Sequence, residues 1–309
     1  MAWTKLHGSH SQSYTFSEEQ FILDLKKTAK AIGAPYSEEA TKTILRAYGD
    51  NFRAGAVLWR ATNRPGDIVN YRFYERKPFD TVTIAVQNGF LKPDNHLAQL
   101  ITHWSALYDG TPEQSCDFDS DTGLSKAWVY LGGMRPLDDI LGIPDLPEHI
   151  RARKPLFEKL GLNLVRHIAV DYRKNTLNLY FRAQGPATPE QITEFTDLAG
   201  ATHPEPELLK EMLRLLSPSG YTFSVTLKDD TGEIERVGFY ALKLPTGVIP
   251  EVGERLKTFF EMAPSYDDEE MNAVAWSFGK GGKTYIKAER SYCGHLVELM
   301  KTWKSTFSS

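Results

Sequence analysis

The stretch Lys126-Ala127-Trp128-Val129-Tyr130-Leu131 alternates in an unusual sense. Strand side chains repeat every two residues, so Lys126, Trp128 and Tyr130 share one face while Ala127, Val129 and Leu131 share the other. The same pattern returns along the chain. Thr176, Asn178, Tyr180 and Arg182 oppose Leu177, Leu179 and Phe181. Arg236 and Tyr240 oppose Val237, Phe239 and Ala241, and Tyr285, Lys287 and Glu289 oppose Ile286 and Ala288. One such strand is an ordinary half-exposed edge. A series of them, with cations beside aromatics on the polar face, calls for a shared polar interior and an apolar exterior covered by something else. The expectation is a cationic ligand chamber enclosed by a sheet.

Outward from this stretch, hairpin signals recur every fifty to sixty residues. The expected pairs are 56–62 with 69–76, 115–118 with 126–132, 164–172 with 176–183, 221–228 with 234–243, and 272–279 with 284–290. Their turns carry Asn-Arg-Pro-Gly-Asp, Asp-Ser-Asp-Thr-Gly, Arg-Lys-Asn, Asp-Asp-Thr-Gly and Lys-Gly-Gly, all compositions that favour chain reversal. Helical patterns fill the gaps. Ser17-Glu-Glu-Gln20 and Ser37-Glu-Glu-Ala40 read as helix openings, the first a capping box. Further helices are expected over 80–89, 96–107, 136–141, 147–160, 189–198, 204–216, 252–262 and 293–303. Two helices and two strands, five times over, predict an α+β fold: a closed barrel of ten antiparallel strands ringed by helices. Closure removes exposed strand edges, and the helices cover the greasy outer face. Residues 1–16 read as a flexible polar tail and 17–309 as a single domain.

Composition narrows the function. The chain has 309 residues, 41% hydrophobic and 25% charged, with a formal net charge of −4. That mild acidity argues against nucleic acid as a partner, which normally demands a basic excess. No window approaches the continuous apolar length of a membrane span. Cys116 and Cys293 lack metal or redox spacing and read as buried thiols in the cytoplasm. A monomer is expected.

The lumen-facing cations by parity are Arg60, Arg72, Lys126, Arg236 and Lys287, with Lys174 and Arg166 as additions. Arg166 has the parity of apolar Ile168 and Val170, so it needs either a buried anion or an internal partner such as Asp171. Clustered buried cations repel unless carboxylates pair with them or a polyanion arrives, and two or three phosphate groups suit Arg forks and Lys point charges. Tyr74, Trp128, Tyr180, Tyr240 and Tyr285 share parity with cations, and predict a π-lined wall able to stabilise a carbocation.

Other motifs fail on inspection. Asp117-Phe-Asp-Ser-Asp121 imitates an EF-hand start, but Trp128 stands where the closing glutamate belongs. Asp229-Asp-Thr-Gly-Glu233 fits a hairpin turn better than a metal site. Asp267-Asp-Glu-Glu270 reads as a helix start or a loop. The tract Ser277–Thr284 lacks the first glycine of a phosphate-binding loop and precedes a strand. His96 and His103 read as surface or packed helix residues. No metal site is expected.

Several segments resemble the soluble aromatic prenyltransferases of the αββα barrel type. They are Gly161-Leu-Asn-Leu-Val-Arg-His-Ile-Ala-Val-Asp-Tyr-Arg-Lys-Asn-Thr-Leu-Asn-Leu-Tyr-Phe181, Gly232-Glu-Ile-Glu-Arg-Val-Gly-Phe-Tyr-Ala-Leu242 and Lys287-Ala-Glu-Arg-Ser-Tyr292. Pro65-Gly-Asp67, Tyr71-Arg-Phe73 and Trp276-Ser-Phe-Gly279 point to the branch of the clorobiocin and novobiocin prenyltransferases. The resemblance spans roughly residues 20–305. It implies the ten-stranded barrel, and transfer of a dimethylallyl group from dimethylallyl diphosphate to a carbon of a small phenolic acceptor. It also implies diphosphate ligands at Arg60, Arg72, Lys126, Asn178, Arg236 and Lys287, with Tyr180 and Tyr240 beside them. Magnesium-dependent relatives carry an aspartate near Arg72, so arginine there implies a reaction without metal or other cofactor. Arg166, Trp128 and Glu289 are implied on the acceptor side, and Glu289, Lys126 and Tyr180 in catalysis, Glu289 orienting or deprotonating the acceptor. An indole, alkaloid or naphthalene acceptor, or a geranyl donor, fits the same resemblance. A barrel that merely carries an anionic aromatic ligand is the rival from another class.

Overall fold

The computed structural model describes residues 15–75, 78–110 and 112–302. Its helices start where the sequence supplies a capping oxygen. Ser17, Ser37, Asp80, Asn95 and Thr188 accept first-turn N–H groups at the heads of α1 (Glu18–Ala31), α2 (Glu38–Ala54), α3 (Thr81–Gln87), α4 (His96–Ser105) and α8 (Pro189–Asp197). Glutamates in the first turns of α1 and α2 add favourable charge at those ends. The remaining helices are α5 (Leu137–Leu141), α6 (Glu148–Arg151), α7 (Lys154–Lys159), α9 (Pro206–Leu215), α10 (Glu254–Met262) and α11 (Leu296–Thr302). The helix expected over 147–160 is thus two short ones.

Ten strands form one antiparallel sheet: β1 (Ala56–Thr62), β2 (Asn70–Tyr74), β3 (Glu113–Asp119), β4 (Gly123–Pro136), β5 (Leu164–Asp171), β6 (Thr176–Ala183), β7 (Tyr221–Lys228), β8 (Ile234–Ala241), β9 (Asn272–Gly279) and β10 (Lys283–Cys293). Each pairs with its sequence neighbours, and β1 pairs with β10 to close the barrel. The closing register sets Arg60 opposite Glu289 and Thr62 opposite Lys287.

Parity sorts the side chains as expected. Trp59, Tyr71, Phe73, Phe118, Phe181, Phe223, Phe239 and Trp276 all turn outward into one apolar cluster with helix residues such as Phe21, Phe52, Leu100 and Trp104. At roughly 1.5–3 kcal/mol per fully buried large side chain, this shell between barrel and helices holds the fold. The cluster also includes Phe16, stacked on Phe52 at 5.3 Å between ring centroids. The packed fold therefore begins inside the expected tail; residues 1–14 of that tail lie outside the described residues. At one end of the lumen, Leu296, Val297, Leu299 and Met300 of α11 pack against Leu58, Tyr130 and Met271. Asp267 anchors this helix by accepting the N–H groups of His295 and Leu296 at 2.7 and 3.2 Å. That is the structural use of the first residue in the Asp267–Glu270 tract.

One register slip matters for the site. On β5, Val165 pairs with Phe181 and His167 with Tyr180, so Arg166 is the extra residue of a β-bulge. Val165 faces the outer cluster, whereas Arg166 and His167 both line the lumen.

Candidate active site

The lumen holds two adjoining chambers. The polar one, about 160 Å³, is lined by Arg60, Lys126, Asn178, Tyr180, Arg236 and Lys287, six of the residues expected to bind diphosphate. The apolar one, about 60 Å³, is lined by Arg72, Tyr74, Trp128, Arg166, His167, Tyr180, Tyr240 and Glu289 with Leu58, Leu242, Met271 and Met300. Tyr180 belongs to both and marks the junction.

The polar chamber is a cage with surplus positive charge. Lys174, an expected addition, lines it too, as do the unforeseen Arg64 and Arg173, and seven cations face three carboxylates, Asp67, Asp119 and Asp171. Some cations are held internally. Lys126 Nζ lies 3.2 Å from Asp171, directly opposite it on β5, and Arg60 grips Asn70 Oδ1 at 3.1 and 2.6 Å. Burial pulls the Lys126 ammonium below its ordinary pKa, with Asp171 opposing that shift. Arg236 has looser attachments, Thr226 Oγ1 at 3.2 Å and Glu235 at 3.7 Å. Asn178 Oδ1 accepts from Thr226 at 2.6 Å, leaving its buried Nδ2 with no partner among the described residues. That amide and the Arg236 fork are donors suited to phosphate oxygens.

Arg72 departs from expectation. It is locked between Asp117 at 2.7 Å and Glu289 at 3.3 Å, donates to the Tyr74 hydroxyl at 2.8 Å, and lies over the Trp128 ring at 4.5 Å. The structure sets it in the wall of the apolar chamber, outside the cage. Tyr240 also lines the apolar chamber, but its hydroxyl accepts from Lys287 at 3.0 Å and so touches the cage from the other side. Burial, the largest influence, raises the Tyr240 pKa, but Lys287 and a hydrogen bond from Tyr180 together draw the phenol below its usual value. Tyr180, buried beside it, is pushed well up.

The apolar chamber carries the aromatic wall. Trp128 and Tyr180 stand 4.8 Å apart and Tyr180 and Tyr240 5.8 Å apart, centroid to centroid. Gly238 lies between Arg236 and Tyr240 on the lumen face, where a Cβ would come within 2.8 Å of Ser224 Oγ. The Trp128 indole N–H is buried with no partner among the described residues, so it is a donor open to a chamber ligand. Tyr285, expected on this wall, sits instead among the cage cations.

The bulge corrects the reading of Arg166. Its parity matches Ile168 and Val170, but the extra residue turns it inward, and Asp171 is taken by Lys126 rather than by Arg166. His167, which shares the parity of Ala169 and Asp171, joins the expected residues in the lumen. Burial, then Arg166 and Arg72, hold its imidazole well below its ordinary pKa, so it is neutral. The Asp117–Asp121 tract resolves too: β3 carries Asp117 and Asp119 into the lumen as counter-charges. His96 and His103 are surface residues near Asp229 and Asp145, and both cysteines are buried and unbridged. Among the described residues no helix is long and apolar enough to cross a membrane.

Comparison with known proteins agrees with this geometry. The family model described as aromatic prenyltransferase Orf2 matches residues 16–304. An aromatic prenyltransferase of Sclerotinia sclerotiorum is 56% identical over 304 residues, covering 97% of this chain and 98% of that protein. The 4-hydroxyphenylpyruvate 3-dimethylallyltransferase of Streptomyces niveus is 46% identical over 292 residues, covering 94% and 90%. The crystal structure of 5-dimethylallyl tryptophan synthase from Streptomyces coelicolor, in complex with DMASPP and Trp, shares the fold with a TM-score of 0.55 at 8% identity, covering 93% of this chain and 96% of that one.

Proposed function

The chain belongs to the Orf2 family of aromatic prenyltransferases, and from that premise we propose that it moves a dimethylallyl group from dimethylallyl diphosphate to a ring carbon of a small carboxylated phenol, without a metal ion. The observation that carries this reading is a cage of seven cations opening onto an aromatic wall through the shared residue Tyr180. The diphosphate fits the cage, with Arg236, Lys287 and the Asn178 amide as ligands. Built-in cations take the part that magnesium plays at other diphosphates. The prenyl chain then lies along Trp128, Tyr180 and Tyr240. Ionisation spreads positive charge over the allyl unit, and faces of electron-rich rings in a water-poor chamber stabilise it.

The acceptor ring shares the apolar chamber. Arg166 suits its carboxylate, and the Trp128 N–H suits a polar substituent. The ring carbon attacks the cation, and Glu289, oriented by Arg72, receives the proton whose loss restores aromaticity. A cytoplasmic setting accords with two unbridged cysteines, and a monomer is part of the same reading.

The test is incubation with radiolabelled dimethylallyl diphosphate against a panel of phenols, naphthalenes and indoles. Label should pass to a carboxylated phenol in preference to neutral or indolic acceptors. Recovery of every acceptor unchanged would leave only a ligand carrier.

A further inference from the structure

Tyr285 is the misfit of the cage. Its side chain is buried, at 7% exposure for the residue, and it lines the cage beside Arg64, Lys126, Arg236 and Lys287. Arg64 lies over its ring at 4.2 Å, with Lys287 and Arg236 at 5.7 and 5.8 Å. A neutral phenol gains only the modest attraction of cations for its ring face, whereas a phenolate gains the full charge–charge attraction of each. We propose that Tyr285 is a catalytic acid of the diphosphate cage: ionised when no anion is bound, it takes up a proton as the diphosphate enters and gives that proton to the diphosphate when the carbon–oxygen bond breaks. This rests on the reading of the cage as a diphosphate site.

Seven cations against three carboxylates leave the cage with surplus positive charge, which favours a phenolate while no anion is bound and is offset once a polyanion enters. The charged groups that face Tyr285 come from every side of the chamber. Arg60 projects from β1 and Arg64 and Asp67 from the turn that follows it. Asp119 and Lys126 come from β3 and β4, and Asp171 with Arg173 and Lys174 from the end of β5. Arg236 and Lys287 complete the ring from β8 and β10. Burial alone would raise the phenol pKa, but Lys287, Arg236, Lys126 and Arg64 overcome it and bring the group down to about 7. An entering polyanion offsets those cations and restores the phenol.

Atoms and charges then close. The carbon–oxygen bond breaks with its electron pair on the diphosphate oxygen, and the Tyr285 O–H proton moves to the departing diphosphate. The phenolate reforms among its cations. The proton lost by the acceptor ring leaves separately on the Glu289 side, so one proton enters and one leaves per turnover.

The test is ultraviolet difference spectroscopy at about pH 8, two units below the ionisation of free tyrosine. Wild-type protein should show one tyrosinate that is absent from Tyr285→Phe, and titration with inorganic pyrophosphate should abolish it. A wild type without that band, or a band indifferent to pyrophosphate, overturns the proposal. With dimethylallyl diphosphate, Tyr285→Phe should lose about 10²-fold in the single-turnover rate of prenyl transfer, the usual size of general-acid help. An unaltered single-turnover rate overturns the acid role. Should Tyr285→Phe fail to fold, Arg64→Gln serves: removing the nearest cation should move the onset of tyrosinate absorbance to higher pH, and an unmoved onset counts against the proposal. The spectra need no turnover. A normal tyrosinate response with no prenyl transfer would sink the reaction reading alone, and transfer without any tyrosinate would sink the role of Tyr285 alone.

Discussion

Arg236 and Lys126 look interchangeable as cage cations, yet their partners predict different mutants. Arg236 leans on Thr226 and, at 3.7 Å, on the half-exposed Glu235. Arg236→Ala should therefore fold normally and lose about 10²–10³-fold in kcat/KM for the donor, as when one preorganised charge donor is removed. Lys126 is the buried partner of Asp171. Lys126→Ala should lose activity similarly but also lower the melting temperature, because it strands a buried carboxylate; adding Asp171→Asn should recover the stability and not the activity. A Lys126→Ala protein as stable as wild type would mean the pair is incidental. Arg166 is tested through substrate choice. Arg166→Leu should raise KM at least tenfold for a carboxylated phenol and leave a neutral naphthalenediol nearly unaffected, the asymmetry expected when a buried ionic contact is lost. Equal damage to both acceptors would make the residue structural.

At the scale of elements, the strands were legible because a period of two needs only a few residues to declare itself. Lys126, Trp128, Asn178, Tyr180, Arg236, Tyr240, Lys287 and Glu289 all face the lumen that parity assigned them. What failed was anything set by pairing between strands. The bulge at Arg166 is a mismatch of β5 against β6, invisible in either strand alone. The capture of Arg72 by Asp117 depends on register between β2 and β3, and it sets a residue read as a phosphate ligand in the wall of the apolar chamber. Likewise α11 was recognisable as a helix, but its insertion into the lumen was not. That insertion sets Met300 against the apolar chamber beside Leu58 and Met271. Met300→Ala should cost about 2 kcal/mol of stability, the low end for truncating a buried methionine. It should also shift the kcat/KM ratio of geranyl over dimethylallyl diphosphate upward by about tenfold, as a few extra methylenes become tolerable. An unchanged ratio in competition between the two donors would remove α11 from donor selection.

For the whole molecule, closure of the barrel brings cations from distant parts of the chain into one ring, and this underlies the expectation about metal. Prenyl transfer should continue in EDTA at the rate seen without it, measured on protein freed of metal beforehand. Activity that vanishes in chelator and returns only with magnesium would overturn that expectation. The ring has a second consequence. It recognises phosphate oxygens, and the departing diphosphate keeps those of the ester and gains the one freed from carbon, so nothing in it favours letting go. Throughput should then be governed by clearance rather than chemistry. A first turnover should run ahead of the steady rate, and added inorganic pyrophosphatase should prevent later turnovers from slowing as pyrophosphate accumulates while leaving the initial burst alone. Pyrophosphate should compete with the donor and not with the acceptor. Such an enzyme works at the pace at which its surroundings carry away spent diphosphate.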